Sequence, residues 1–212
     1  MARQGTQSGG TRRGYKQTEI GEIPVEWEVK RLPDVCQFCS GKAHEQYISP
    51  DGEFVCVNSK FISTEGQVKK YSTKNFSPAK KNDILMVMSD LPNGRALAKA
   101  FIVEEDNKYA VNQRVCSLTP IKDYAKYLFY YLDRNKYFLN FNDGVNQTHL
   151  LNPVFYNCPI ALPPLAEQTK IADILSGVDA VIRQNSEQVE QLKQTKAGLM
   201  QDLLTGRKRV AV

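Results

Sequence analysis

The stretch from Leu165 to Leu204 constrains this chain more than any other part of it. It contains no proline, follows directly on Pro163-Pro164, and is itself followed by Gly206. A proline pair ends a strand and suits the first turn of a helix, because proline fixes φ and has no N–H to lose there. A glycine just past the last apolar residue is the usual helix stop. Within these limits Ile171, Leu175, Val178, Ile182, Asn185, Val189, Leu192, Lys196, Leu199 and Leu203 recur alternately four and three apart. That spacing is a heptad seam, and a single seam cannot bury itself, so it requires a partner helix. Its two polar members, Asn185 and Lys196, weaken such a pair but select register and partner. A helix of about forty residues runs to ~60 Å, longer than a globular domain of this size is wide. The spacing therefore predicts a dimerising coiled-coil helix over residues 163–206, most of it projecting, with a short tail at 207–212.

Upstream the pattern changes. From Ile20 to Leu162, short runs rich in Val, Ile, Phe and Tyr alternate with turn residues. Phe54–Asn58, Asp83–Met88, Ala96–Val103 and Tyr109–Leu118 read as strands. Pro50-Asp51-Gly52, Glu65-Gly66, Ser77-Pro78 and Pro92-Asn93-Gly94 read as turns between them. Asp123–Phe141 carries apolar residues at helical spacing with no Gly or Pro inside, which predicts one helix. The expected class is α+β: a globular domain over residues 15–162 with a twisted β-sheet and flanking helices, then the long helix. The opening MARQGTQSGGTRRG has no apolar run to join a core or to act as a secretory signal, so residues 1–14 read as a flexible tail.

Hydrophobic residues at 42% and charged residues at 24% fit a folded chain rather than a disordered one. No apolar run reaches the ~18 residues that a membrane span needs. Five cysteines without an export signal point to free thiols in a reducing cytoplasm. Cys36 and Cys39 form a C-x-x-C, but the other possible zinc ligands, Cys56, Cys116, Cys158, His44 and His149, stand singly. A zinc site needs two more ligands at compatible spacing, so the cysteines read as buried structural thiols. The net charge of +5 permits a nucleic-acid partner without requiring one.

Catalytic signatures are missing or broken. Asn152-Pro153-Val154-Phe155 superficially resembles the N-P-P-Y/F run with which adenine methyltransferases hold a flipped base, but valine replaces the second proline and the chain has no G-x-G. Pro153 reads instead as a strand entry. There is no phosphate-binding G-x-x-x-x-G-K-[ST], and Asp83 and Asp90 bracket an apolar strand without the following E-x-K of a metal-dependent nuclease. With His44 and His149 the only histidines, a histidine triad has no support.

Taken together, several segments resemble the specificity subunits of type I restriction–modification systems. Tyr15–Leu32 (YKQTEIGEIPVEWEVKRL) resembles the entry to that family's target-recognition domain, and Lys80–Asp90, Asn93–Ala100 and Ala110–Pro120 resemble its central strands. Asn142–Ile182, with its PPLAEQ run, is similar to the exit into the family's helical region, and KAGLMQDLLTGRKRV (Lys196–Val210) to the usual ending of that helix. The resemblance implies a non-catalytic DNA-reading scaffold. A full subunit carries two recognition domains and two long antiparallel helices that act as a ruler between the halves of a bipartite site. Modification subunits bring S-adenosylmethionine, and restriction subunits bring ATP and Mg; this chain itself is expected to bind no cofactor. It has one domain and one helix, so it is expected either to pair with a second copy or to be part of a longer product. A detached recognition fragment of a methyltransferase or nuclease, or a coiled-coil protein adaptor, are the other readings.

A DNA-reading role directs attention to a locally basic stretch. Between Phe54 and Lys99, Lys60, Lys69, Lys70, Lys74, Lys80, Lys81, Arg95 and Lys99 outnumber Glu65, Asp83 and Asp90. Such cations neutralise phosphates and supply affinity without sequence information. Bases are read by paired donors and acceptors, for which the candidates are Asn58, Ser59, Asn75, Asn93 and Arg95, and a second group, Asn146, Gln147, Thr148 and His149. Asn and Gln beside glycine are also ordinary turn formers, and the second group falls within the shared framework of the resemblance, so a structural role stays open for each.

Overall fold

A computed structural model describes residues 12–91 and 94–210. Most of the 1–14 tail, Pro92 and the candidate Asn93, and the end of the 207–212 tail therefore lie outside the described residues. In chain order the elements begin with β1 (Tyr15–Thr18), β2 (Gly21–Pro24), β3 (Glu28–Arg31), α1 (Leu32–Val35), β4 (Cys36–Ser40) and a 3₁₀ turn at Glu45–Tyr47. They continue with β5 (Phe54–Val57), α2 (Ser59–Ser63), β6 (Tyr71–Ser72), β7 (Ile84–Val87), β8 (Ser89–Asp90), β9 (Ala100–Ile102), β10 (Tyr109–Val111) and β11 (Val115–Pro120). The last are α3 (Ala125–Leu132), α4 (Lys136–Leu139), β12 (Thr148–His149), α5 (Asn152–Tyr156), β13 (Pro159–Leu162) and α6 (Leu165–Leu204).

The fold is α+β. One sheet runs β4-β11-β7-β9, antiparallel throughout, with Val115 opposite Val87 and Ile84 opposite Ile102. A second runs β10-β5-β6, in which β10 and β5 are parallel. β7 is buried along its whole length, as the unbroken apolar run Ile84–Val87 requires. Val55, Val57, Phe61, Ile62, Leu85, Val87, Val111 and Val115 form one buried cluster, with Phe61 edge-on to Phe101 at 5.0 Å between centroids. Each of the larger side chains contributes about 1.5–3 kcal/mol by leaving water, so this cluster fixes the strand ends described below.

Contacts divide the chain between Thr169 and Lys170. The start of α6 belongs to the globular unit for a visible reason. Gln168, 1% exposed, accepts from Tyr124 N at 3.0 Å and donates to Asp123 Oδ1 and Pro163 O. Trp27 Nε1 donates to Glu167 at 3.1 Å. The helix ends as the sequence predicts, with Gly206 at φ +72° and its N–H on Leu203 O.

Five local expectations are corrected. The single helix over Asp123–Phe141 is broken into α3 and α4, because Asp133 accepts from Ala100 N at 2.7 Å while Arg134, at φ +52°, donates to Ala98 O and Leu97 O. These tertiary bonds outweigh one turn of helix. Ala96–Val103 forms a strand only at β9, since Ala98 (φ +55°) turns the chain. Tyr109–Leu118 is two strands in different sheets, divided at Asn112–Arg114. Pro153 sits in the first turn of α5 rather than entering a strand, a position where its missing N–H costs nothing. Of the five cysteines, four are buried, but Cys39 is exposed.

Candidate nucleic-acid interface

The hydrogen bonds between strand ends gather several loops at one end of the globular unit. Asn112 N donates to Val57 O, Met88 N to Arg114 O, Lys42 N to Val111 O, and Leu150 N to Met88 O. The segment after β5, the turn between β10 and β11, the exit of β7 and the β8–β12 pair therefore lie together. Lys42, Lys60, Lys69, Lys70, Arg95, Lys99, Arg114 and Arg134 stand there, against Glu45, Glu65, Asp90, Asp133 and Asp143, and the Arg134 guanidinium is taken up by Arg95 O and Leu97 O. Lys99 is paired with Glu65 at 3.1 Å. No hydrogen bond or ion pair holds the charged groups of Lys60, Lys69, Lys70, Arg95 or Arg114 among the described residues, and all five residues are exposed.

The carboxylates at this end are occupied. Asp90 accepts from Leu91 N, Ala96 N (2.7 Å) and Leu97 N (3.1 Å). Glu45 accepts from Asn112 Nδ2 at 3.1 Å and Gln113 Nε2 at 3.3 Å. Burial pushes Glu45 upward, but hydrogen bonds from its own backbone and from Asn112 prevail and hold it below the usual carboxylate range. Asp83 lies at the other end of β7 and accepts from Ser117, Thr119 and Lys80 N, which explains how a carboxylate 3% exposed is tolerated in the core.

The structure separates the sequence candidates. Asn58, Ser59, Lys60, Lys69, Lys70, Arg95 and the Asn146–His149 group lie at the Asn112 end. Lys74, Asn75, Lys80 and Lys81 lie at the opposite end, near Tyr109, where Glu104, Glu105 and Asp106 dilute the positive charge. Lys74 sits over the Tyr47 ring at 4.7 Å, and Asn75 spans Tyr109 O and Ser77 N. Asn58 caps α2 by accepting from Phe61 N at 2.9 Å. Gln147 donates to Ser89 at 3.0 Å, Asn146 to Asp143, and buried Thr148 to Asn142. Of the second group His149 alone is exposed with its ring unengaged among the described residues. Gln113 and Arg114 were missed, because a reading of Tyr109–Leu118 as one strand hides the turn that exposes them.

Along α6 the seam is uncovered. Leu175, Val178, Ile182, Val189, Leu192, Leu199 and Leu203 are all exposed, from 38% at Leu175 to 68% at Leu192, as are Asn185 and Lys196; Ile171 is half-buried. Among the described residues no helix is long and apolar enough to cross a membrane.

Residues 24–194 match the family described as "Type I restriction modification DNA specificity domain", and the chain belongs to that family. The MjaVIII specificity subunit of a type I restriction enzyme from Methanocaldococcus jannaschii is 28% identical over 215 residues, covering 93% of this chain and 50% of the relative. Among solved structures, a chain from work on complex assembly and conformational transition of the type I R-M system covers 85% of this chain and 46% of its own length, at TM-score 0.61 and 18% identity. The type I S subunit from M. genitalium covers 83% and 45%, at TM-score 0.58 and 16% identity. These likenesses show the fold. The chain spans about half the length of the relatives it matches, 50% for the first of them.

Proposed function

We propose that this chain reads DNA sequence as the specificity component of a type I restriction–modification assembly and catalyses nothing itself. The observation that carries the reading is the cationic Asn112 end: exposed basic side chains, unpaired among the described residues, gathered from four separate segments at one end of the globular unit, in a chain of this family. Lysines and arginines there would neutralise phosphates and release counterions, so binding should weaken steeply with salt.

The exposed seam of α6 pairs antiparallel with a second copy, making a two-fold dimer that reads an inverted repeat, since protein and DNA symmetry match. The helix acts as the ruler. At ~1.5 Å per residue and ~3.4 Å per base pair, the half-sites stand roughly 10–18 base pairs apart, centre to centre. Modification and restriction subunits dock on the paired helices and supply S-adenosylmethionine, ATP and Mg, none of which this chain holds; the assembly works in the cytoplasm.

Sedimentation of the purified chain, with Leu192→Glu/Leu199→Glu as the comparison, tests the pairing. A dimer that becomes monomeric in the variant supports it; a monomer at every concentration refutes self-pairing. Titration of random-sequence duplex DNA at several salt concentrations tests the cationic end. Absence of salt-dependent binding refutes the DNA reading and favours a protein partner.

A further inference from the structure

We infer that Arg114 reads a base, rather than a phosphate, and sets sequence specificity at one position of each half-site. The inference rests on the DNA-reading proposal above and deepens it. Direct readout needs a side chain with a fixed fork of donors, held on backbone that does not move. The turn Asn112–Arg114 is such a support. Asn112 N donates to Val57 O, Val115 N to Asn112 O, Gln113 N to Asn112 Oδ1, and Met88 N to Arg114 O. Asn112 and Gln113 are tied to Glu45 through their side chains. Gly41 packs so closely that an added Cβ would stand 2.2 Å from Asn112 O. The turn is therefore clamped from the 41–45 segment, from the end of β5 and from the end of β7 together.

On this support Arg114 is exposed, and its guanidinium has no hydrogen bond or ion pair among the described residues. It also stands at the junction of the two sheets, between the Asn58–Lys60 segment on one side and the Met88–Ser89 exit, with its β12 partner, on the other. Lys60, Lys69 and Lys70 present flexible point charges suited to phosphates, whereas a guanidinium matches O6 and N7 of guanine with two parallel bonds. The Arg134 guanidinium at this end is spent on Arg95 O and Leu97 O, and among the described residues the backbone of Arg95 itself is held through its carbonyl alone.

The test is selection of bound sequences from a randomised duplex pool by the full chain, for the unmodified protein, Arg114→Ala, Arg114→Lys and Lys69→Ala. The expected result is that both Arg114 variants lose discrimination at one base position per half-site, by about 5- to 150-fold, while other positions keep their preference. Lys69→Ala should weaken all sequences alike and lower the salt slope by about one. Arg114→Lys keeps the charge and controls for folding, which the urea midpoint of each variant checks independently. If Arg114→Ala keeps every base preference and loses only salt-dependent affinity, Arg114 is a phosphate contact and the inference fails. If the unmodified chain selects no sequence, the DNA-reading proposal fails first, and this inference with it.

Discussion

Replacing Gly41 with alanine should destabilise the globular unit by about 2–4 kcal/mol, although alanine is the better residue for most backbones. Gly41 does not need a left-handed conformation; it needs the space. An ideal Cβ at this position meets Asn112 O at 2.2 Å, Asn112 C at 2.7 Å and Val111 O at 2.7 Å, all backbone atoms with no flexible end to swing aside. Relief requires the turn to move by about 1 Å, and overpacking of that kind costs about 1–3 kcal/mol. The same movement stretches Gly41 N to Val115 O, 2.9 Å, and Lys42 N to Val111 O, 3.0 Å, each worth about 0.5–1.5 kcal/mol net. Reduced freedom of the unfolded chain returns about 0.4–1 kcal/mol. Gly198 supplies the control. It lies in α6 with nothing within 4 Å of its added Cβ, at a heptad position away from the seam, so Gly198→Ala should stabilise the helix by about 0.5–1 kcal/mol. Urea unfolding followed by tryptophan fluorescence, with Trp27 the single tryptophan in the globular unit, reports the first variant, and helical circular dichroism reports the second. A Gly41→Ala midpoint within about 0.5 kcal/mol of the parent would refute the close approach, and with it the rigidity argued for the Asn112–Arg114 turn.

Asp83→Ala should cost about 3–5 kcal/mol, because it leaves the hydroxyls of Ser117 and Thr119 and the Lys80 N–H without their shared acceptor; an unchanged urea midpoint would contradict that. Thiol labelling at pH 8 should find Cys39 alone reacting quickly in the native chain and all five cysteines in denaturant; rapid labelling of a second thiol would show the core to be looser than described. Burial raises Cys36 and Cys158 from 9.0 to about 12 and Cys56 to about 11. Unfolded thiols ionise near 9.0 while these stay protonated, so their contribution is intact below pH 9 and declines from there toward pH 12; urea midpoints at pH 8 and pH 10.5 measure the fall. Asp143 is held down at about 2 by hydrogen bonds from Asn146 N, the Asn146 side chain and Val145 N. Its loop order should persist above pH 3.8 and disappear as pH falls from there through 2, read from the Asn146 amide chemical shift; a shift already changing at pH 5 would exclude this arrangement.

The long helix was legible because its information is local. Proline before, glycine after and a four-three apolar period between them are backbone and packing constraints that any forty-residue segment must obey, and α6 runs from Leu165 to Leu204 accordingly. The strand at Ile84–Val87 was legible for the same reason: an apolar run that short, between turn residues, has few other solutions. The sequence resemblance to specificity subunits likewise rested on contiguous segments and agrees with the family to which the chain belongs. What the tertiary structure decided is where bonds between distant residues outweigh local preference. The Asp123–Phe141 pattern is helical throughout, yet Asp133 to Ala100 and Arg134 to Ala98 and Leu97 divide it. Tyr109–Leu118 has strand propensity throughout, yet its ends belong to different sheets. No residue-by-residue property marks Arg114 as exposed at their junction or sends Lys74, Asn75, Lys80 and Lys81 to the other end. Those positions follow from which strands pair, and pairing is a sum over residues far apart in the chain, whereas the helix depends only on neighbours three and four places away.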